Sequence, residues 1–577
     1  MRIAFVVGCV ALAALAAVAW AAKDDLTLVS RVSGANGAPA NAASYYPSVS
    51  GDGRYIAFTS AANNLSGEDT DAIYDVFVRD GQTNVLTLAS RATGAAGAGG
   101  TDNSTDTSLS ADGRYAAFTS SADNLSAEDN NLYGNVFVRD LQANTTTLVS
   151  RATGAAGTGA NDTAYDADIS ADGRYVVFIS NADNLSAEDN NNYINVFVRD
   201  LQANTTTLVS RAAGATGTGA DDSSYNPSIA TGGRYVAFQT NADNLSTEDN
   251  NTYTNVLVRD LQANTVTLVT RASGAAGAAA NAGGYTPSIS DNGRRVSFTS
   301  DADNLSPDDD NAYQGIFVRD LTANTTTLAS RAGGANGAGA NAASDDSHIS
   351  GDGRRVTFVT GANNLSGEDN NAYDNIFIRD LATATLTYAS RAAGARGVAA
   401  DDHSEAPALS ATGRYVAFSS TANDLSDDDD NAYYNVFLRD LGPNPSSGGG
   451  GGDGDTTKPR VSRVRMSRKR FRVGRKRTPV SAAAKAGTRF RYSLSERATV
   501  RITIQRALRG RGGRTRYRRA GKLTRTGEGP GRDSTAFSGR IGRRALKPGR
   551  YRATLRATDA AGNRSSAKRI GFRIVQR

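Results

Sequence analysis

Cysteine and histidine are almost absent from this chain of 577 residues, which holds one cysteine and two histidines. The cysteine, Cys9, lies in an apolar N-terminal segment, so a chain processed beyond it would have neither disulfides nor thiol chemistry. His348 and His403 are far apart in the sequence, and a histidine-based metal site or triad would need partners that the sequence does not single out. We therefore expect both histidines to be structural or loop residues.

The N-terminus has the three parts of a secretory signal peptide. Arg2 supplies a basic start, an apolar run follows from Ile3 to Val18, and Ala19 and Ala21 are small residues at a cleavage site. We expect residues 1–21 to be a signal peptide and the protein to be secreted or held in the cell envelope. The alternative is a retained N-terminal membrane anchor, because the apolar segment is long enough to span a bilayer.

One sequence unit recurs through three quarters of the chain at a period of 60 residues. A fixed period of this size predicts a repeat architecture, in which each unit packs against its neighbours. We interpret the Arg-Asp pair that ends each VFVRD-type motif, and the Ser-Arg that ends most fourth strands, as structural partners within or between units. The Arg-Asp pairs mark seven copies, at Arg79-Asp80, Arg139-Asp140, Arg199-Asp200, Arg259-Asp260, Arg319-Asp320, Arg379-Asp380 and Arg439-Asp440.

Each unit is predicted to contain four short strands. In the first unit these are Tyr46 to Ser50, Arg54 to Ser60, Asp75 to Asp80 and Val85 to Arg91. The second and third strands are continuously apolar, which indicates burial on both faces between neighbouring sheets. We therefore predict an all-β fold, with a seven-bladed β-propeller over residues 24–441.

The ends of the repeat region predict how the ring is closed. The seventh unit ends at Leu441 without a fourth strand, whereas the chain begins with a spare copy, LTLVSR, at Leu26 to Arg31. We expect residues 26–31 to complete the seventh sheet, because closure removes two exposed sheet edges. The alternative is a linear solenoid, which would leave this strand unpaired.

The repeat consensus SADGRYxxFxSxADNLSxEDNNxYxNVFVRDLQANTTTLVSR resembles the TolB-type, WD-like β-propeller repeats of exported bacterial proteins. The resemblance covers roughly residues 24–441 and implies the propeller fold. It implies little about function, since such propellers serve as binding platforms and as accessory domains of hydrolases. Units five and six depart from the pattern, with Arg295 and Arg355 in place of the usual tyrosine.

The chain changes character after the repeats. Residues 442–457, GPNPSSGGGGGDGDTT, are predicted to be a flexible Gly/Ser linker. Beyond it, apolar residues such as Val500, Ile502 and Ile504 alternate with polar ones, which predicts half-buried strands. Residues 458–577 resemble the Ig-like or fibronectin-like β-sandwiches that end many secreted bacterial proteins.

Charge also divides the chain. Residues 456–577 carry 38 of the 64 Lys and Arg and only four acids, a net charge of +34, which leaves −28 for the rest. Basic runs such as Arg463 to Arg477 would suggest nucleic acid in a cytosolic protein. For an exported chain we expect no nucleic acid, and instead attachment of the C-terminal domain to an anionic envelope polymer. A solvated basic surface, or binding to the acidic propeller of the same chain, is the alternative.

The loops between second and third strands, such as Ala61 to Tyr74, are rich in Asp and Asn. With the loops that join successive units they should lie on one face, where we expect binding. Their spacing D-x-N-x-x-x-N/D resembles that of oxygen ligands in calcium loops, and predicts structural Ca²⁺. The alternative is that these residues only cap turns. The candidate ligands are Asp69, Asp71, Asp75, Asp129, Asn131, Asn135, Asp189, Asn191, Asn195, Asp249, Asn251, Asn255, Asp369, Asn371, Asn375, Asp429, Asn431 and Asn435.

No catalytic constellation emerges, because the carboxylates recur equivalently in every unit and no G-x-S-x-G motif follows the repeats. We predict an exported, non-enzymatic and monomeric binding or scaffold protein. Its acidic long-loop face would bind a protein or glycan, and its basic domain would attach to the envelope or to another polyanion. The alternative is a propeller enzyme acting on polysaccharide or peptide, which would need a cluster of His, Glu or Arg that breaks the repeat.

Overall fold

The structure is a computed structural model that falls into two compact units, Met1–Gly442 and Pro443–Arg577. The predicted signal peptide and residues 443–457 of the predicted linker lie outside the described residues. No helix in the described part of the chain is long and apolar enough to cross a membrane. The described residues are 24–34, 36–69, 71–129, 131–189, 191–214, 216–249, 251–309, 311–334, 336–369, 371–394, 397–429, 431–442, 460–473, 488–494, 498–509, 515–528, 531–541, 544–558 and 564–575.

The described residues of the first unit form seven four-stranded antiparallel sheets. Six of them take all four strands from one 60-residue repeat, in sequence order. The strands are Ser44–Val49, Tyr55–Ser60, Asp75–Asp80 and Val85–Leu88; Ser104–Leu109, Tyr115–Ser120, Asn135–Asp140 and Thr145–Leu148; Ala164–Ile169, Tyr175–Ser180, Asn195–Asp200 and Thr205–Leu208; Ser224–Ile229, Tyr235–Thr240, Asn255–Asp260 and Thr265–Leu268; Gly284–Ile289, Arg295–Ser300, Gly315–Asp320 and Thr325–Leu328; Ser344–Ile349, Arg355–Thr360, Asn375–Asp380 and Thr385–Tyr388.

The seventh sheet contains Ser404–Leu409, Tyr415–Ser420 and Asn435–Asp440 together with Leu26–Leu28 from the start of the chain. Leu26 pairs with Arg439 and Leu28 with Phe437, antiparallel. The N-terminal strand therefore pairs where each other sheet has its fourth strand, but it ends at Leu28 rather than at Arg31 as predicted.

The first strand of each sheet begins and ends one or two residues earlier than predicted. Ser44 belongs to it because its hydroxyl donates to the Ser60 hydroxyl at 2.9 Å, whereas Ser50 already forms the turn through Asp52. The strand also contains a bulge, where Tyr46 has a φ of 48°. The fourth strand ends at Leu88, and Arg91 makes only an isolated bridge to Gly99.

Apolar second and third strands place the core between neighbouring sheets. Val76 and Val78 of the first sheet share a buried cluster with Phe118 and Phe137 of the second. Residues from the seventh sheet pack on the first in the same way, with Val436 and Leu438 in one cluster with Phe58 and Phe77. Both faces of these strands are thus covered, as continuous apolar runs predict.

The turn after each first strand receives a side chain from the preceding sheet. Gly53 has a φ of +78°, and a Cβ there would lie 2.0 Å from the Tyr415 ring, so this position requires glycine. In units five and six an arginine replaces the tyrosine at this position, and it makes a hydrogen bond to the turn instead. Arg295 donates to the Gly353 carbonyl at 2.8 Å and Arg355 to the Gly413 carbonyl at 2.6 Å. These departures from the repeat therefore preserve the contact between neighbouring sheets.

The first strands of all seven sheets line one cavity of about 110 Å³. Side chains near its wall connect neighbouring strands: Ser48 accepts from the Leu109 amide at 3.0 Å, and Asp168 from the Ile229 amide at 2.9 Å. His348 replaces serine in this series and accepts from the Leu409 amide at 3.3 Å through Nδ1. Sheets of four antiparallel strands, with the first strands around a common axis, are the architecture of a β-propeller.

The described residues of the second unit form two larger sheets and one short hairpin. One sheet has three strands, Val461–Met466, Thr488–Leu494 and Gly531–Phe537. The other sheet has five strands, in the order Arg470–Arg472, Lys568–Val575, Gly549–Thr558, Ala498–Arg509 and Thr515–Glu528. A short hairpin pairs Arg540–Ile541 with Arg544–Ala545. Phe490 and Tyr492 from one sheet pack with Ile502, Leu555 and Phe572 from the other in a single core. The unit is therefore a two-sheet β-sandwich.

Candidate functional site

The two long loops of each repeat lie on the same side of the sheets and are hydrogen-bonded to each other. Tyr74 donates its amide to Asn103 Oδ1 at 2.9 Å, and Asn64 Nδ2 donates to the Pro39 carbonyl at 2.9 Å. We call the surface formed by residues 61–74 and 89–103, with their equivalents in the other repeats, the long-loop face. It is a continuous surface of loops held on a rigid scaffold, which is where binding sites concentrate.

One acid of each second-to-third loop is neutralised by an arginine that follows the fourth strand of its sheet. Arg91 pairs with Glu68, and its Nε also donates to the Gly97 carbonyl at 3.0 Å. The arginines are buried and the acids are half exposed. The other pairs are Arg31–Asp428, Arg151–Glu128, Arg211–Glu188, Arg271–Glu248, Arg331–Asp308 and Arg391–Glu368. The face is consequently less acidic than its sequence alone indicates.

The repeated Arg-Asp pairs are structural, but their two members have different partners. Buried Arg79 donates to the carbonyls of Arg31 at 2.9 Å and Gly34 at 3.1 Å. Asp80 accepts from Arg54 at 2.9 and 2.6 Å. Adjacent residues in a strand point to opposite faces, so Arg79 and Asp80 cannot pair with each other. The first ties neighbouring sheets together and the second fixes the turn.

The residues predicted to bind calcium meet at the base of each loop. In the third unit, Asn195 Nδ2 donates to Asp189 Oδ1 at 3.1 Å, to Asn191 Oδ1 at 2.9 Å and to the Tyr193 carbonyl at 3.3 Å. Its Oδ1 accepts from the Ser210 hydroxyl at 2.7 Å, which fixes the orientation of the amide. The same three oxygens converge on Asn135, Asn255, Asn375 and Asn435.

In these five loops an amide thus takes the central position that a cation would occupy. Burial also raises the pKa of the aspartate beside it, to about 6 for Asp189 and Asp249. In the fifth unit the position is Gly315, which offers no side chain.

The first loop differs from the five amide-centred loops. Asp69, Asp71 and Asp75 place one carboxylate oxygen each within 4.8 Å of the others. Asp75 replaces the central asparagine, and its Oδ1 accepts from the Ser90 hydroxyl at 2.6 Å. Burial, and the nearby Asp69 and Asp71, raise the pKa of Asp75 to about 7.

Exposed tyrosines recur on the long-loop face, one per repeat in six of the seven repeats. They are 38–50% exposed. Each backbone amide donates to the preceding asparagine of its loop, as Tyr193 does to Asn191 Oδ1 at 2.8 Å, so the loop fixes each ring's position. The first repeat has Ile73 instead. The six are Tyr133, Tyr193, Tyr253, Tyr313, Tyr373 and Tyr433.

A second group of polar residues on this face does not follow the repeat. His403 Nδ1 lies 3.0 Å from Asp374 Oδ2, and its ring packs edge-on against Tyr373 at 5.1 Å. Glu405 follows two residues later, and burial together with the nearby Asp374 carboxylate raises its pKa. On the adjoining first repeat, the Tyr45 ring lies 4.8 Å from that of Tyr434.

We call Tyr45, Asp374, His403, Glu405 and Tyr434 the mouth cluster; they come from units six, seven and one, and lie near the starts of the first strands Ser404–Leu409 and Ser44–Val49. Sequence reasoning missed it, since its members come from three repeats. One feature of the sequence could have indicated this group. The second residue of the first strand differs between units: it is Tyr45 in the first, Thr105 in the second, Asp345 in the sixth and Glu405 in the seventh.

The bulged residues of the first strands are strained. Tyr46, Asp106, Asp166, Asn226, Thr286, Asp346 and Ala406 have φ values between 43° and 55°. Strained non-glycine residues are typical of functional sites. Asp106, Asp166 and Asn226 line a cavity of about 460 Å³ with Tyr165 and Tyr225. Burial raises the pKa of Asp166 and Asp346 to about 7, and the neighbouring acids contribute.

The strand pairing defines the first unit as a β-propeller of four-stranded sheets. No family model matches the chain, and no curated protein matches it significantly. Among solved structures, it is similar to a protein from Agrobacterium tumefaciens described as TolB, at 14% identity over 50% of this chain and 80% of that one, with a TM-score of 0.30.

It is also similar to two proteins of Pyrococcus. The first is the β-propeller domain of the Trilobed protease from Pyrococcus furiosus, at 11% identity over 70% of this chain and 96% of that one, with a TM-score of 0.40. The second is an acylaminoacyl peptidase from Pyrococcus horikoshii, at 8% identity over 79% of this chain and 58% of that one, with a TM-score of 0.39. The fold assignment rests on the strand pairing rather than on these likenesses.

Proposed function

We propose that this protein is an exported, non-enzymatic binding protein in which a closed seven-bladed propeller presents its long-loop face to a polysaccharide. Leu26–Leu28 would close the ring by completing the seventh blade. Its pairing with Asn435–Asp440 supports this, as does the packing of Tyr415 on Gly53 of the first blade. Such a ring leaves only short sheet edges, so the loops are its natural binding surface.

The six equivalent tyrosines carry this proposal. A tyrosine ring offers a flat apolar face with a polar edge, and it loses little conformational entropy on binding. Six rings in equivalent positions suit a partner that itself repeats, and a polysaccharide presents the same unit many times. Weak contacts at several loops then add up to useful avidity.

The charges near the tyrosines favour a neutral or cationic polymer. Glu128 and Glu188 are half exposed beside Arg151 and Arg211, and their free oxygen positions can accept hydrogen bonds from sugar hydroxyls. The arginines are buried and already bonded, so they offer little to an anion. An anionic envelope polymer would instead attach to the basic second unit, proposed here to be an Ig-like sandwich.

A polysaccharide pull-down tests the proposal. The mature protein is incubated with insoluble neutral and cationic polysaccharides, beside a variant carrying Tyr133→Ser, Tyr193→Ser and Tyr253→Ser. We expect retention of the parent protein and at least a tenfold loss in the variant. Tyr517→Ser is the matched control, because Tyr517 is 41% exposed but belongs to the second unit. Equal retention of all three proteins, or none, would count against binding through the long-loop face.

The mouth cluster favours enzymatic action on a polysaccharide as a second candidate function. It contains what the repeats alone lacked, a group of His and acids that differs from the repeat pattern. Glu405, with its raised pKa, could hold the proton that a leaving group needs, while the His403–Asp374 pair could act as a base. Release of reducing sugar ends that depends on Glu405 and His403 would favour this function; none from any bound polysaccharide would reject it.

A further inference from the structure

In five repeats, the NH₂ group of an asparagine side chain, which carries a positive partial charge, lies at the centre of the base of the second-to-third loop. Three oxygens converge on one amide nitrogen, as in the second repeat, where Asn135 Nδ2 lies 3.1 Å from Asp129 Oδ1, 3.1 Å from Asn131 Oδ1 and 3.2 Å from the Tyr133 carbonyl. An NH₂ group can satisfy acceptors in this arrangement because it is donor only. In these loops the amide therefore occupies the central position and donates to the oxygens around it.

The first repeat has the same backbone but lacks this donor. Asp75 stands at the amide position and is 2% exposed, and its carboxylate can only accept when ionised. Asp71 replaces the neighbouring asparagine and adds a third carboxylate. A loop that elsewhere holds one carboxylate and two amides here holds three carboxylates at the same positions.

The carboxylate of Asp69 is buried without a donor at one of its oxygens. Asp69 is 5% exposed, and its Oδ2 is buried with no hydrogen-bond partner among the described residues. Its Oδ1 accepts only a long bond of 3.2 Å from the Asp71 amide. A buried, unpaired carboxylate oxygen is costly unless it coordinates a metal or is paired with another charge.

We propose that the first loop binds one divalent cation of the calcium type between Asp69, Asp71 and Asp75. The three oxygens lie within 4.8 Å of one another, a spread that one ion can bridge at about 2.3–2.6 Å from each. Magnesium would need shorter bonds and a stricter octahedral arrangement. The five amide-centred loops would bind no calcium, which restricts the eighteen predicted ligands to three. This site is independent of what the long-loop face binds.

Calorimetric titration of the mature protein tests the proposal. The protein is stripped with chelator, dialysed at pH 8 and titrated with CaCl₂, with MgCl₂ as a parallel titrant. We expect one Ca²⁺ per chain, weaker binding of Mg²⁺, and a melting temperature that falls when chelator is added. Absence of stoichiometric Ca²⁺ binding would overturn the proposal and would indicate that the three acids share a proton instead.

Two variants make the test specific, and both follow changes that the repeats already contain. Asp75→Asn installs the amide found in five other loops, so it should fold, bind no Ca²⁺ and keep its melting temperature in chelator. Asn131→Asp combined with Asn135→Asp converts the second loop to the composition of the first and should raise the stoichiometry to two. Unchanged Ca²⁺ binding by the Asp75→Asn variant would overturn the assignment.

Discussion

Replacement of Arg199 by methionine should destabilise the propeller more than any single change on its surface. Arg199 is 2% exposed and donates to the Ala152 carbonyl at 2.8 Å, the Gly154 carbonyl at 3.2 Å and the Thr206 hydroxyl at 3.0 Å. The two carbonyls belong to the chain that follows the preceding sheet, so these bonds join two sheets. Methionine fills a similar volume but leaves both carbonyls without this donor.

The expected cost follows from these contacts. Each buried acceptor left unsatisfied costs about 1–3 kcal/mol. Part of this is offset, because the guanidinium is itself unfavourably buried: burial, with Arg151 nearby, lowers the pKa of Arg199 to about 10. The net loss should be about 3–5 kcal/mol, in the range found when one partner of a buried charged group is removed.

Urea unfolding followed by circular dichroism measures this loss, with Arg174→Met as the matched control. Arg174 lies in the same repeat and pairs with Asp200 at 2.6 Å, but its side chain is 40% exposed. Asp200 is 12% exposed but keeps its bonds from the Gln202 and Ala203 amides, so this variant should lose less stability than Arg199→Met. If Arg199→Met cost less than about 1 kcal/mol, or no more than Arg174→Met, the buried arginines would not be what joins the sheets.

Three further predictions concern pH and salt. His348→Ser should reduce the loss of stability between about pH 6.5 and pH 4, because burial lowers the pKa of His348 to about 4 and protonation of the unfolded chain then favours unfolding. Its urea midpoint at pH 4.5 should exceed that of the parent, and a lower midpoint would contradict the assignment. Asp166→Asn should raise the midpoint at pH 8 and not at pH 4, because a pKa raised to about 7 means that stability falls as pH rises through that value. Equal gains at both pH values would show that ionisation of Asp166 is not the cause. Retention of the protein on an anionic polymer should fall steeply with salt, given a net charge of +34 on residues 456–577; retention that is independent of salt would exclude attachment through these charges.

The period of the sequence was sufficient to predict the sheets, because each repeat has two apolar runs, of the GRYxxF and VFVRD type, that mark strands buried on both faces. The pairing of Leu26 with Arg439 was also predictable, since the last repeat lacks a strand and the chain begins with one. The strand ends were less accurate. Ser44 joins its strand through a side-chain hydrogen bond to Ser60, and local turn residues do not indicate such a bond.

The site was harder to predict, for a different reason. The spacing of Asp189, Asn191 and Asn195 predicted calcium ligands, but only coordinates reveal that the Asn195 amide donates to the oxygens of the other two. The pairing of Arg211 with Glu188 likewise required the positions of both loops. The mouth cluster brings Glu405, His403 and Asp374 together at the junction of two repeats. A comparison of the repeats one by one does not detect such a group.

A polymer that binds across several loops at once should bind more tightly as its chain becomes longer. Titration of the mature protein with oligosaccharides of increasing length, cut from whichever polysaccharide it retains, measures this directly. We predict that affinity rises steeply with length until one oligosaccharide spans neighbouring tyrosines, and that the triple tyrosine variant loses this rise. An affinity that does not depend on length, and that the tyrosine substitutions leave unchanged, would contradict multivalent binding by the long-loop face.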